Sequence, residues 1–426
     1  MTCDLQPTED AAIEYDGEDP LASFRERFSV PDELYLDGNS LGPSSDAAAA
    51  ALDRAVDQWR ELGIRAWTEA EPPWFEYGER LGDRVAPHIG ADPHEVVAAN
   101  STTVNIHTLI GTFLDSQDGP PGILVDELDF PTDHYAIRAQ LRQRGYEPDE
   151  HLTVVESRDG RTIAEADVIA AMDENEVGIV FLPSVLYRSG QLLDIEQITE
   201  AAHERGILAG FDLAHSVGVV PHELSAVGVD FAVWCHYKYL NAGPGAIGGL
   251  YVNERHHGTE PALAGWWGHE KATQFDMETT FTAAADAGAW QIGTVNVFSA
   301  APLFGALDIL DEAGIDAVRD GSLDRTGYLM ALVDEHLSET EYSVGTPRAG
   351  ERRGGHVAVE HPEAERISQA LRDRGVVVDF RPPNVIRVCP APLYIGLADV
   401  FEAVGHLSEI VDTRAYEAYS DGDAVR

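Results

Sequence analysis

Two rhythms of apolar and polar positions divide this chain. Between residues 95 and 253, short apolar runs recur, each bounded by charged or turn-forming residues: EVVAAN (95–100), GILVDE (122–127), LTVVE (152–156), VGIVFLP (177–183), GILAGFD (206–212), DFAVWC (230–235) and IGGLYVN (247–253). Stretches with helical spacing, such as DHYAIRAQLRQRG (133–145) and DIEQITEAAHERG (194–206), separate most of them. Short β-rich runs alternating with helices predict an α/β fold, a mostly parallel sheet of these strands covered by helices on both faces. From about Ser299 the rhythm changes: two long helical patterns lead into HVAVE (356–360), a helix over 362–374, VVVDF (376–380), NVIRVC (384–389) and a last helix over 399–411. That order predicts a smaller α+β unit.

Upstream, residues 1–20 are acidic without apolar periodicity, which reads as a mobile arm. LASFRERF (21–28) reads as a short amphipathic helix, and LYLDGNSLGP (34–43) as a brief strand followed by a loop of turn formers. Ser45 and Asp46 are placed to cap a helix on which Leu52, Val56 and Trp59 share a face, and a second helix spans 77–89. The expected division is therefore an N-terminal arm and segment (1–50), a large domain (51–298) and a small C-terminal domain (299–426).

Composition narrows the setting. The chain carries 74 acidic against 29 basic residues, a formal charge of −45. Such a surface repels phosphate at range, which argues against nucleic acid and anionic membranes as partners. The acid is spread along the whole chain, and this suits a folded protein in high salt, where the Debye length shrinks to about 3 Å. A halophile's cytoplasm is the expected location. Cys3, Cys235 and Cys389 lie far apart with no CxxC pair, so neither a zinc site nor a disulfide framework is expected. No apolar run approaches the ~20 residues that span a bilayer, and the N-terminus lacks the basic-then-apolar order of a signal peptide.

Candidate chemistry centres on DFAVWCHYKYLNAGPG (230–245), which holds Lys238, one of two lysines in 426 residues; the other is Lys271. Arginine supplies positive charge elsewhere, but only lysine offers an amine that can lose its proton and form a Schiff base. Taken alone, the stretch leaves two readings open, a surface lysine before a loop or a reactive amine. Four further polar clusters also fall at strand ends, where open α/β sheets bind ligands: NSTTVN (100–105), DFPTD (129–133), SVLYRSG (184–190) and FDLAHS (211–216). With a lysine at their centre they suggest pyridoxal phosphate. Asp212, ending the preceding strand, has the chemistry to keep the cofactor's ring nitrogen protonated, and Thr102, Thr103 and Tyr237 offer donors to a phosphate. His256-His257 reads as a solvated turn, GERRGG (350–355) as a surface loop, Lys271 as a surface residue, and Cys235 and Cys389 as core.

YLDGNSLGP (35–43), STTVNIH (101–107), FPTDHY (130–135), FDLAHSVG (211–218), CHYKYLNAGPG (235–245), LAGWWGH (263–269) and IRVCPAPLY (386–394) together give the chain a resemblance to kynureninases, pyridoxal-phosphate enzymes of fold type I. The resemblance covers nearly the whole chain. It implies that Lys238 links to the cofactor, Asp212 pairs with its ring nitrogen, His215 lies against it and Phe130 stacks on its ring. Thr102, Thr103, Pro131, Thr132, Asp133 and Tyr237 would help hold it, with Tyr237 also a proton donor. Trp266 and Asn296 would line the site, Trp266 reaching a neighbouring subunit's cofactor in a homodimer. Arg387 would grip the substrate carboxylate, and Trp67 and Asn296 would approach the substrate. One departure stands out: Pro183 replaces a hydroxyl residue that meets the phosphate, leaving Ser184 beside it to take over or the contact absent. No metal is implied.

The activity implied is hydrolysis of L-kynurenine, and of 3-hydroxykynurenine, to the anthranilate and L-alanine in tryptophan catabolism. A cysteine desulfurase or selenocysteine lyase is the nearest rival, but no cysteine lies between Cys235 and Cys389 to serve as its mobile nucleophile. A catalytically silent relative is the other alternative, and the presence of Lys238, Asp212 and Arg387 argues against it.

Overall fold

The computed structural model describes residues 5–31, 33–116, 119–420 and 422. All seven apolar runs become strands of one sheet: β1 (Val96–Ala98), β2 (Ile123–Asp126), β3 (Leu152–Val155), β4 (Ile179–Pro183), β5 (Leu208–Asp212), β6 (Phe231–Cys235) and β7 (Gly248–Val252). Their spatial order is β1-β7-β6-β5-β4-β2-β3. Only β7 runs antiparallel to its neighbours within this sheet. Every residue of β1, β2, β4, β6 and β7 is buried, as expected of strands covered on both faces.

A second, four-stranded antiparallel sheet pairs Ser343–Val344, Val357–Glu360, Val385–Val388 and Asp379–Arg381 in that spatial order. Opposite residues in its register include Asp379 and Arg387. The long helices Val297–Ala313 and Ile315–His336 precede it, and Leu397–Asp412 closes the chain. Among the described residues no helix is long and apolar enough to cross a membrane.

The N-terminal stretch differs from the expected arm. Glu9–Glu18 is a helix whose N-cap Thr8 accepts from the Ala11 amide. Asp16 on this helix caps the final helix, accepting from the amides of Leu397 (2.7 Å) and Ala398 (2.9 Å). Asp19 forms a buried ion pair with Arg325, and Tyr15 donates to Asp324 at 2.8 Å. These partners lie over 300 positions away, so local polarity gave no sign of them. Residues 1–4, Cys3 included, lie outside the described residues. The 21–28 segment forms a tighter 3-10 helix over Ala22–Arg27, while Asp46–Leu62 is capped by Ser45 as its sequence predicts.

Three surface expectations are also corrected. Arg353 in the GERRGG segment is fully buried, bonding Thr326 and the Arg348 carbonyl. His256 bonds the buried Asp230 at 2.6 Å rather than facing solvent. Lys271 sits 4.4 and 4.6 Å over the rings of Trp267 and Phe75, with Glu79 at 3.4 Å. In each case the segment looks polar in sequence because its buried partners are distant along the chain.

Candidate active site

Tight approach between two loops positions the lysine. The Gly42 amide donates to the Tyr237 carbonyl at 2.8 Å. A Cβ on Gly42 would lie 2.4 Å from the Lys238 carbonyl oxygen, and one on Gly38 would lie 1.9 Å from the Tyr394 hydroxyl. Both contacts demand glycine. LDGNSLG is therefore the hinge-point where the lysine loop and the C-terminal APLY segment meet.

A cavity of about 250 Å³ opens at the carboxyl ends of the strands, lined by Asn39, Ser40, Thr102, Thr103, Phe130, Thr132, Asp212, Ala214, His215, Cys235, Tyr237, Lys238, Arg381 and Arg387. Nine of the residues expected from sequence thus converge in one place. Lys238 Nζ lies 2.9 Å from His215 Nε2. Burial, then the Lys238 charge, pushes His215 well below the usual histidine range, so its ring is neutral and accepts from the lysine. Asp212 accepts from the Ala214 amide at 2.7 Å; burial raises it and Lys238 opposes that rise. Thr103 and Thr132 hydroxyls meet at 2.9 Å, beside the N-terminus of the helix Thr102–Ser116. The Phe130 ring is 43% exposed toward the cavity side and lies edge-on to Tyr187. Burial, then the neighbouring Cys235, raises the Tyr237 hydroxyl above its ordinary value.

Arg387 is 1% exposed and bonds the Tyr187 carbonyl (2.9 Å), the Ser40 hydroxyl (2.8 Å) and the Asp379 carboxylate. Arg381 bonds the same carboxylate at 2.7 Å. Asn39, Ser40, Arg381 and Asp379 had no assigned part in the sequence reading. LDGNSLG was the available signal for the first two, and the alternation that puts Asp379 opposite Arg387 was the signal for the last.

Five expected residues lie outside the cavity lining. Pro131 opens the helix Pro131–Gln143, and Asp133 is fully buried behind Asp212. Trp67 packs between Trp74 and Trp267 at 5.7 and 5.4 Å. Trp266 is 41% exposed, next to Phe275, and Asn296 is an exposed residue preceding the helix Val297–Ala313. Ser184 is buried outside the cavity lining, its hydroxyl meeting Ser216 (2.8 Å) and the Asp212 carbonyl (3.3 Å).

Residues 318–407 match the family model described as the kynureninase C-terminal domain. The kynureninase of Geobacillus thermodenitrificans is 49% identical over 418 residues, covering 98% of this chain and 97% of that protein. The chain belongs to the kynureninase family. A kynureninase from Shouchella clausii is 46% identical over 423 residues, 99% of each chain. Among solved structures, a cysteine desulfurase from Thermococcus onnurineus superposes with a TM-score of 0.78 at 18% identity, covering 92% of this chain and 98% of that one. A cystine C-S lyase in complex with cysteine persulfide gives 0.74 at 19%, covering 89% and 97%. At those identities the likeness establishes the fold, and the family assignment rests on the kynureninases.

Proposed function

We propose that this chain hydrolyses L-kynurenine, and 3-hydroxykynurenine, at the Cβ–Cγ bond to give the anthranilate and L-alanine, with pyridoxal phosphate bound beside Lys238. The observation that carries this reading is the convergence of an amine, a buried carboxylate and a buried guanidinium on one cavity: Lys238, Asp212 and Arg387. The residues present fit the cofactor. Among the described residues, His215 Nδ1 at the cavity is buried without a hydrogen-bond partner, and hydroxyls gather at a helix N-terminus suited to a phosphate.

Lys238 would hold the aldehyde carbon, Asp212 the ring nitrogen and Phe130 the ring face. Thr102, Thr103, Thr132 and Tyr237 would hold the phosphate, while Pro131 and Asp133 fix the segment that carries them. When bound, pyridoxal phosphate supplies an electron sink through its protonated ring nitrogen. Once the substrate's own amine has taken its place and left it a free amine, Lys238 Nζ would take the proton from the substrate α-carbon, oriented by its 2.9 Å bond to His215 Nε2. Arg387 receives the substrate carboxylate, which must compete with Asp379 for the guanidinium. Tyr237, kept protonated by burial, is suited to donate its hydroxyl proton as the products form.

Trp266 and Asn296 lie exposed, and in this reading they complete a partner subunit's site in a homodimer. The exposed apolar side chains of Trp266, Phe275 and Met277, the first two in ring contact, support that placement. Cytoplasmic residence at high salt is supported by the charge of −45, and a domain boundary near residue 299 by the change from the seven-stranded to the four-stranded sheet. A desulfurase reading finds no support here. Cys235 borders the cavity, but burial raises its thiol and removes the thiolate such chemistry needs.

The purified holoenzyme is expected to produce anthranilate fluorescence from kynurenine. Lys238→Arg, which keeps fold and charge, is expected to lose both turnover and the visible absorbance of lysine-linked cofactor. An unchanged spectrum and rate in that variant would overturn the proposal.

A further inference from the structure

Three charged side chains share the face of the four-stranded sheet that borders the cavity. Asp379 and Arg381 stand two apart on one strand, and Asp379 lies directly opposite Arg387 on the neighbouring one. Asp379 Oδ2 accepts from the Ser40 hydroxyl and from Arg381 Nη2, each at 2.7 Å, and from Arg387 Nη2. Arg387 Nη2 also donates to Ser40 Oγ at 2.8 Å, and Arg387 Nη1 to the Tyr187 carbonyl at 2.9 Å. Both arginines line the cavity. Among the described residues, Asp379 is the one carboxylate that pairs with either guanidinium; Asp37 acts on Arg381 only at a distance.

A guanidinium has five N–H donors, and a carboxylate gripped by one arginine alone needs two of them on a single edge. Both edges that can form such a fork include Nη2. The Nη2 hydrogens of Arg387 are already spent, on Ser40 and on Asp379, so Arg387 by itself lacks a free edge. Arg381 is differently placed. It spends Nη2 on Asp379, its Nε is buried without a partner, and its Nη1 makes no bond among the described residues. Burial, then the Arg387 charge, lowers the Arg381 guanidinium from its usual value, as expected of a cation short of counter-charge. Two guanidiniums that share one carboxylate oxygen repel each other, and a second anion between them relieves that repulsion.

We propose that Arg381 is a second substrate-binding residue, sharing the substrate's α-carboxylate with Arg387, and that Asp379 is the positioning residue that holds the two guanidiniums side by side. This rests on the reading that Arg387 receives that carboxylate. Arg381 supplies donors that Arg387 has spent, so the carboxylate that competes with Asp379 for Arg387 has a second hold. The pair makes the site selective for amines that carry a carboxylate on the same carbon.

Two titrations of the holoenzyme, followed through the cofactor's visible absorbance, test this: one with L-alanine, the other with the decarboxylated analogue of kynurenine. Arg381→Gln is expected to weaken L-alanine binding about thirtyfold, while the analogue's dissociation constant stays within about twofold. In turnover the same variant is expected to raise KM for kynurenine about thirtyfold with kcat within about threefold. Equal weakening of both ligands, or no weakening of either, would overturn the proposal, because a merely structural arginine does not distinguish them. If Arg381→Gln does not fold, Arg381→Met, which keeps an aliphatic stem, is read the same way. Asp379→Asn is expected to raise KM about tenfold, and an unchanged or lower KM would remove its positioning role. Absence of kynurenine turnover in the unsubstituted enzyme would instead sink the proposed function, and the two titrations would still decide the role of Arg381.

Discussion

At the start of β6, Asp230 is 1% exposed, yet its carboxylate is fully provided for. It accepts from the Ala209 amide (2.7 Å) and pairs with His203 (2.9 Å), His256 (2.6 Å) and Arg255 (2.6 Å). Burial alone would push Asp230 up; the hydrogen bonds from His203, His256 and Ala209 and the Arg255 charge outweigh it and hold the carboxyl well below the ordinary range. On the neighbouring β5, Asp212 ends the strand opposite Val233 of β6, and Asp133 is also buried; Lys238 only partly offsets the burial of Asp212, and both carboxyls are raised. One carboxylate's charge is thus spent on holding loops together, while Asp212 at the cavity keeps its charge with Lys238 as its cation. A buried charge that the protein has not neutralised is a candidate binding element.

Asp212→Asn probes the available end and carries the larger effect. It is expected to cut turnover about a thousandfold, ~4 kcal/mol of transition-state stabilisation, because a neutral amide cannot hold a protonated ring nitrogen. The thermal midpoint should stay the same or rise, since one member of a mutually repelling carboxyl group is gone. Steady-state kinetics and calorimetry on the same preparation decide it. If the variant unfolds while Asp230→Asn does not, the distinction between the two ends collapses. Asp230→Asn is expected to behave oppositely, losing about 3 kcal/mol of unfolding free energy by leaving the Arg255 guanidinium without its buried carboxylate, with kcat and KM at low temperature within about twofold of the parent. Denaturant titration beside turnover separates these outcomes.

The same contrast explains what could be read from sequence. The seven strands were legible because each buried run stands between turn formers, and the strand-end rule then located Lys238, Asp212, His215 and the threonine cluster. The reversed direction of β7 was not legible, since its run looks like the others and only its pairing with β1 and β6 differs. Partners spread across the chain were equally hidden. The Glu9–Glu18 helix looked like an acidic tail because its contacts are Asp324, Arg325 and the helix at Leu397. His256, Arg353 and Lys271 looked solvated for the same reason. Arg381 and Asp379, which share the Arg387 environment, sit on a short strand with no motif of its own.

A pH-dependent effect is expected in the loop that carries the lysine. His236 meets the Ile247 carbonyl through Nδ1 at 2.6 Å and accepts from the Trp234 indole N–H at Nε2, 2.8 Å away. The neutral Nδ1–H form satisfies both bonds, and a second proton would displace the indole. His222, bonded to the Ser216 hydroxyl at 2.8 Å, is also buried. Burial lowers both rings from 6.5 to about 4. The unfolded chain therefore binds more protons than the folded one between those values, so stability is full above about pH 6.5 and is lost as pH falls toward about 4. Each ring accounts for up to about 3 kcal/mol across that window. Because the carboxyls beside Asp212 are raised, they change stability in the opposite direction with pH and do not mimic this loss. His236→Gln is expected to flatten the slope of unfolding free energy against pH between about 6.5 and 4, whatever it does to absolute stability. An unchanged slope would show that this ring is already accommodated when charged, and that the lysine loop is not held by a neutral histidine.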